Sequence, residues 1–174
     1  MHKQPAALGV RDYLLIGEAA RQRGKVALSI STLRAGAERF PRHLAIKNNL
    51  IYILASRRQT LPEALELLPI FLELGADQMV AQDTVAYVYM KAGQLEKAQE
   101  YMDKALAKVK KSQPAWTEMQ YNAAELAIRR KDFDSGREIL DRVLKESPNQ
   151  LLKQTRGREL LLMLESQAPS GDRE

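Results

Sequence analysis

No cysteine occurs among the 174 residues, which removes disulfide stapling, thiolate nucleophiles and thiolate metal sites together. Histidine is almost as scarce. The two present, His2 and His43, form no His-Glu-x-x-His pair, and no zinc site is expected. One tryptophan, three phenylalanines and six tyrosines supply the chain's rings, and the tyrosines lie mostly away from the basic residues with which a groove for single-stranded nucleic acid would interleave them. There is no run of about 18 apolar residues to cross a bilayer, and Met1 to Val10 lacks the apolar stretch of a secretory signal. The expected location is the cytoplasm with no membrane insertion, although a cysteine-free chain also suits the periplasm. Gly-x-Gly-x-x-Gly and the Gly-Lys-Ser/Thr phosphate loop are absent, and Gly24-Lys25 reads as a turn. Ser29, Ser31, Ser56 and Ser135 lie in no Gly-x-Ser-x-Gly elbow, and two histidines are too few to supply a triad with ease. The carboxylate pairs Glu63/Glu66 and Glu96/Glu100 read as solvated helix faces. No catalytic residue, metal or cofactor is expected.

With 45% hydrophobic and 28% charged residues, the chain has the balance of a globular protein. Its net charge of +5 is uneven: residues 1–60 hold eleven Lys/Arg against three Asp/Glu, and residues 61–174 hold sixteen against nineteen. Such polarity can steer an acidic partner or promote head-to-tail association, and it also fits an ordinary solvated surface.

The segment Val85 to Leu106 reads as two short amphipathic helices joined at Gly93. Ala86 and Ala98 are small where the helices cross, Tyr89 and Met102 fill the interface, and Ala105 lets a neighbour approach. Related patterns recur with turns at Gly24, around Arg58 and at Lys131. The first unit has Gly17, Ala20, Ser29, Leu33, Gly36 and Pro41 at corresponding places; the last has Ala124, Ala127, Phe133, Gly136, Leu140, Val143 and Pro148. Repeats are placed at 10–43, 44–78, 79–112 and 117–150. In the second, Gln59-Thr60-Leu61 adds about one residue to the turn. Pro69 then falls inside a helix, where it costs roughly 3 kcal/mol and is expected to kink or break it. Lys110 to Pro114 lengthens the next connection by about four residues, with Pro114 expected in the first turn of the following helix. Residues 151–167 are read as a terminal capping helix, and 1–9 and 168–174 as loose tails. The opening repeat has no polar cap before it, a pattern that fits a piece of a longer array.

These helix pairs resemble the tetratricopeptide repeat over residues 10–150. The resemblance implies an all-α right-handed solenoid of about four repeats plus the capping helix. It further implies a non-enzymatic scaffold that binds a protein or peptide with the first helix of each pair. Mapped onto this chain, that concave face comprises Leu14, Glu18 and Arg21; Asn48, Asn49, Tyr52 and Ser56; Asp83, Tyr87 and Met90; and Tyr121, Asn122, Glu125 and Arg129. Tyr52, Tyr87 and Tyr121 could form a ladder of rings, while packing between repeats is the plainer reading of each. The family's carboxylate-gripping clamp is not reproduced, because its places hold Leu14, Glu18, Val80 and Thr84; a mixed-charge or apolar ligand is expected instead.

Two other readings remain. Self-association could use Leu160, Leu161, Leu162, Met163 and Leu164, a run apolar on all sides, although simple packing on the fourth repeat explains it as well. RNA binding could use Arg21, Arg23, Lys25, Arg34, Arg39, Arg42, Lys47, Arg57 and Arg58, but the lack of interleaved aromatics disfavours nucleic acid.

Overall fold

The computed structural model describes residues 8–146 and 155–167, and all its regular structure is helical. Nine helices occur among the described residues: α1 (Val10–Gln22), α2 (Val26–Arg39), α3 (Leu44–Ala55), α4 (Leu61–Gly75), α5 (Met79–Lys91), α6 (Leu95–Leu106), α7 (Trp116–Arg129), α8 (Phe133–Glu146) and α9 (Thr155–Gln167). The chain divides into two compact units, Met1–Thr84 and Val85–Glu174, with the division inside α5.

The second helix of each pair buries a narrow stripe with a common spacing: Ser29, Leu33 and Gly36; Ala64, Leu68 and Phe71; Ala98, Met102 and Ala105; Gly136, Leu140 and Val143. Positions i, i+4 and i+7 lie on one helical face, so each of these helices has one packed side and one wet side. The stripes are offset by 35, 34 and 38 residues, which registers one extra residue in the second pair and four before the fourth. The second pair's turn occupies five positions, Ser56 to Thr60, against three in the others. Tight turns need a left-handed residue: Gly24 (φ 69°), Gly93 (φ 76°) and, without glycine's freedom, Lys131 (φ 64°) supply it.

In the first unit α1 packs on α2 and α3, and α3 packs on α2 and α4. Close approach requires glycine here, since a Cβ on Gly36 would lie 2.9 Å from Cγ of Tyr13. The buried Ser29 hydroxyl donates to the Gly17 carbonyl at 2.8 Å, so the crossing holds no orphaned hydroxyl. α4 runs unbroken through Pro69, contrary to the expected break. Pro69 lies on the exposed side, while Ala64, Leu68 and Phe71 hold the opposite face in the core. Leu15 and Ile16 of α1 remain exposed.

In the second unit α7 packs on α6 and α8, and α9 covers α7 and α8. Trp116, Tyr121, Ala124, Ile128, Leu140, Val143, Leu160 and Leu164 form its core. Met90, Met102 and Met119, each 1% exposed, fill gaps between helices. Pro114 precedes the N-cap Ala115 and so lies outside the first turn of α7. A turn closed by the Trp116 N–H to the Gln113 carbonyl (3.0 Å) delays the helix start. Residues 151–154 of the expected cap, both expected tails except residues 8 and 9, and Pro148 lie outside the described residues.

Candidate functional site

Within the second unit, one face of α7 carries Glu118, Asn122, Glu125 and Arg129 at successive turns, the spacing that aligns side chains along a helix. Glu125 is 6% exposed yet charged by sequence. Three cations compensate it. Its Oε1 accepts from Lys91 Nζ of α5 at 2.5 Å and from Arg129 Nε at 2.9 Å, and its Oε2 accepts from Arg156 Nη2 of α9 at 3.2 Å. Arg156 also donates to Glu118 through Nη1 and to Asn122 Oδ1 through Nη2. Tyr87 of α5 completes the cluster, with Lys91 Nζ 5.0 Å and Arg156 Cζ 5.7 Å from its ring centre, within cation–π range.

The electrostatics follow from burial set against neighbours. Burial pushes the Glu125 carboxyl up, but Lys91, Arg156 and Arg129 together outweigh it and hold the group below its ordinary value. Burial lowers Lys91, and Glu125 only partly restores it. Tyr87 is pushed up to about 12 by burial, against the opposing charge of Arg156. The site thus holds three cations and two carboxylates, with the Tyr87 ring beside two of the cations.

The expected site residues fall into three groups. Tyr87, Asn122, Glu125 and Arg129 come together as described. Met90 (1% exposed) and Tyr121 (0%) do not belong to an open face. Both are core side chains: Met90 of α5 is sealed, and Tyr121 of α7 belongs to the apolar cluster to which Leu160 and Leu164 of α9 contribute. Met90 and Tyr121 are removed from an open binding face, and so are the buried side chains of Tyr87, Asn122 and Glu125, which leaves Lys91, Arg129 and Glu118 as the more exposed members of the cluster.

The third group lies in the first unit. Glu18 accepts from Arg21 Nη2 at 2.7 Å and from Gln22 Nε2 at 2.8 Å. The Arg21 hydrogen bond lowers its pKa. Asn48 Oδ1 accepts from Thr84 Oγ1 at 2.8 Å, Ser56 Oγ donates to the Ile53 carbonyl at 2.7 Å, and Asp83 is buried. Leu14, Asn49 and Tyr52 are half-buried. Of the leucine-rich run, Leu160 and Leu164 are spent in the core, Leu161 and Met163 pack beside it, and Leu162 alone is widely exposed at 64%.

Lys91, Glu118 and Arg156 complete the cluster but are absent from the set read from sequence. Lys91 follows Tyr87 by four residues and Glu118 precedes Asn122 by four, so helical spacing could supply both. Arg156 has no such signal, lying in a segment read only as a cap.

Paired antiparallel helices with small residues at their crossings and left-handed turns define an α-helical repeat protein. Two tetratricopeptide repeat models match, over residues 14–77 and 89–158. The chain belongs to the tetratricopeptide repeat family. Solved structures with a similar fold include a thermophilic TPR protein of Thermus thermophilus (TM-score 0.70, 20% identity, covering 88% of this chain and 82% of that one). A second is a tetratricopeptide repeat protein from Parabacteroides merdae (0.53, 20%, covering 91% and 59%). A third is MamA protein (0.53, 14%, covering 90% and 85%). No curated protein matches the chain. Members of this family generally serve as protein-interaction scaffolds, and no helix among the described residues is long and apolar enough to cross a membrane.

Proposed function

We propose that the chain is a non-enzymatic scaffold that binds a protein or peptide on the first-helix faces of repeats 10–43, 44–78, 79–112 and 117–150. The observation that carries this reading is the charged cluster on α7. A helix needed only for packing would be apolar on its covered side, whereas this one devotes Asn122 and Glu125 to a polar network rimmed by Lys91 and Arg129. Arg129 keeps 37% of its side chain exposed and Lys91 22%, so a ligand can reach both. The mixture of signs at the rim, with Lys91 and Arg129 near the half-exposed Glu118, suits a peptide that carries both charges. Such a ligand exchanges water at the rim for charge-assisted hydrogen bonds. A self-assembly role through Leu160 to Leu164 has less to stand on, because Leu162 is the one residue of that run with a largely open side chain.

The test is capture of partners by the purified chain and by its Tyr52→Ala/Arg129→Ala variant, once circular dichroism shows equal helicity. A protein retained by the first and lost by the second supports the reading. Equal capture by both refutes it.

A further inference from the structure

The basic residues of the first unit have no part in the α7 cluster, and the turns gather several of them. Arg23 and Lys25 flank Gly24 in the first turn, and Arg57 and Arg58 lie in the second. All four are exposed, and none makes an ion pair with another described residue. An open trough of about 550 Å³ runs along this edge, with Lys25 and Arg57 in its lining and an apolar floor of Val26, Leu28 and Ile30. No acidic residue lines it. Leu28 is 49% exposed, an apolar side chain left in water beside unpaired cations.

The backbone beneath is well fixed. The Arg57 carbonyl accepts from the Thr60 N–H at 3.2 Å and the Leu61 N–H at 3.0 Å, and the Thr60 hydroxyl ties back to the Leu54 carbonyl at 2.6 Å. Across the trough, the Gly24 and Lys25 N–H groups bond the Arg21 and Ala20 carbonyls at 3.0 and 2.8 Å. The cations therefore project from rigid turns, which limits the ordering cost on binding to their side chains.

We propose that this turn edge docks an acidic segment of a partner protein, with one apolar side chain of that segment seated on Leu28 and its flanking carboxylates paired with Lys25 and Arg57. Charge complementarity selects an acidic partner. The aliphatic floor favours a peptide over single-stranded nucleic acid, for which stacking rings would be expected and none lines the trough. The surface is separate from the α7 cluster, so either can fail alone.

The experiment is fluorescence anisotropy with a dye-labelled, end-capped peptide that has one leucine between acidic residues. Controls carry serine for the leucine or glutamine for the acids. Poly(U) RNA and phosphatidylserine vesicles are tested in parallel. The expected result is binding of the leucine peptide that weakens about tenfold or more in Lys25→Glu/Arg57→Glu and also weakens as salt rises from about 0.05 to 0.5 M. The serine and glutamine peptides bind more weakly, and Lys145→Ala, at an exposed cation of α8 outside both surfaces, leaves the affinity unchanged. The proposal is overturned if the leucine peptide does not bind, if the charge-reversed chain binds it equally, if the serine peptide binds as well, or if only RNA or vesicles are retained.

Discussion

Glu125→Gln should expose how far the second unit depends on its buried carboxylate. The substitution keeps size and shape but replaces one oxygen by an NH2 group that must face donors, since Lys91 and Arg129 point at one oxygen and Arg156 at the other. A hydrogen bond to a charged group contributes about 1.5–3 kcal/mol, and breaking a fully buried pair costs about 3–5. The Lys91 and Arg156 side chains keep 22% and 21% of their exposure and can recover some hydration, and Arg129 is open enough to be discounted. The expected loss is therefore about 2 kcal/mol, roughly thirtyfold in the unfolding equilibrium.

Trp116, the one tryptophan of the chain, lies in the core of the same unit. Urea unfolding followed by its fluorescence therefore reads the relevant transition. The pH dependence gives a second check. Because the folded-state pKa of Glu125 is depressed, its contribution is present above the ordinary value of 4.5 and is lost as pH falls through the folded value. The gap between the two proteins should close below pH 4.5. An unchanged midpoint at about pH 7, or a gap that persists undiminished in acid, would refute the argument.

Gly36→Ala should destabilise the first unit by about 1 kcal/mol: the new methyl meets Cγ and Cβ of Tyr13 at 2.9 and 3.0 Å, and overpacking of about 1–3 kcal/mol exceeds the gain of roughly 1 in helix propensity. Those atoms lie near the Tyr13 backbone, and its ring is edge-on to Phe40 at 6.2 Å, so little can give; thermal melting by circular dichroism is the check. Lys131→Gly should stabilise the second unit by about 0.5–1 kcal/mol, since it removes a left-handed lysine at a turn whose counterparts are Gly24 and Gly93. A lowered Trp116 unfolding midpoint would contradict that prediction.

Local geometry explains what can be read from the chain. Gly24, Gly93 and Lys131 mark turns because a tight connection needs a left-handed residue, and Ala98, Met102 and Ala105 mark a packed face because helical spacing is regular. The exposed or buried state of the first helices is harder to read. Tyr121 and Met90 carry no sign of whether they face a groove or a neighbour, and burial of α7 from several sides draws Tyr121 inward. Pro69 misleads in the other direction, because propensity describes an isolated helix and α4 is held by Phe71 and Leu68 against its neighbours. Arg156 reaches Asn122 across 34 residues, a contact that no local periodicity announces.

The buried methionines have a chemical consequence. With no thiol in the chain and Met90, Met102 and Met119 sealed inside, sulfoxide formation at those three must wait for the helices to part. Among the described residues, oxidation of the folded chain is thereby directed to the half-buried Met79 and Met163. A single cysteine introduced at Leu162, 64% exposed, would be the sole thiol and could carry a dye or crosslinker to a defined position.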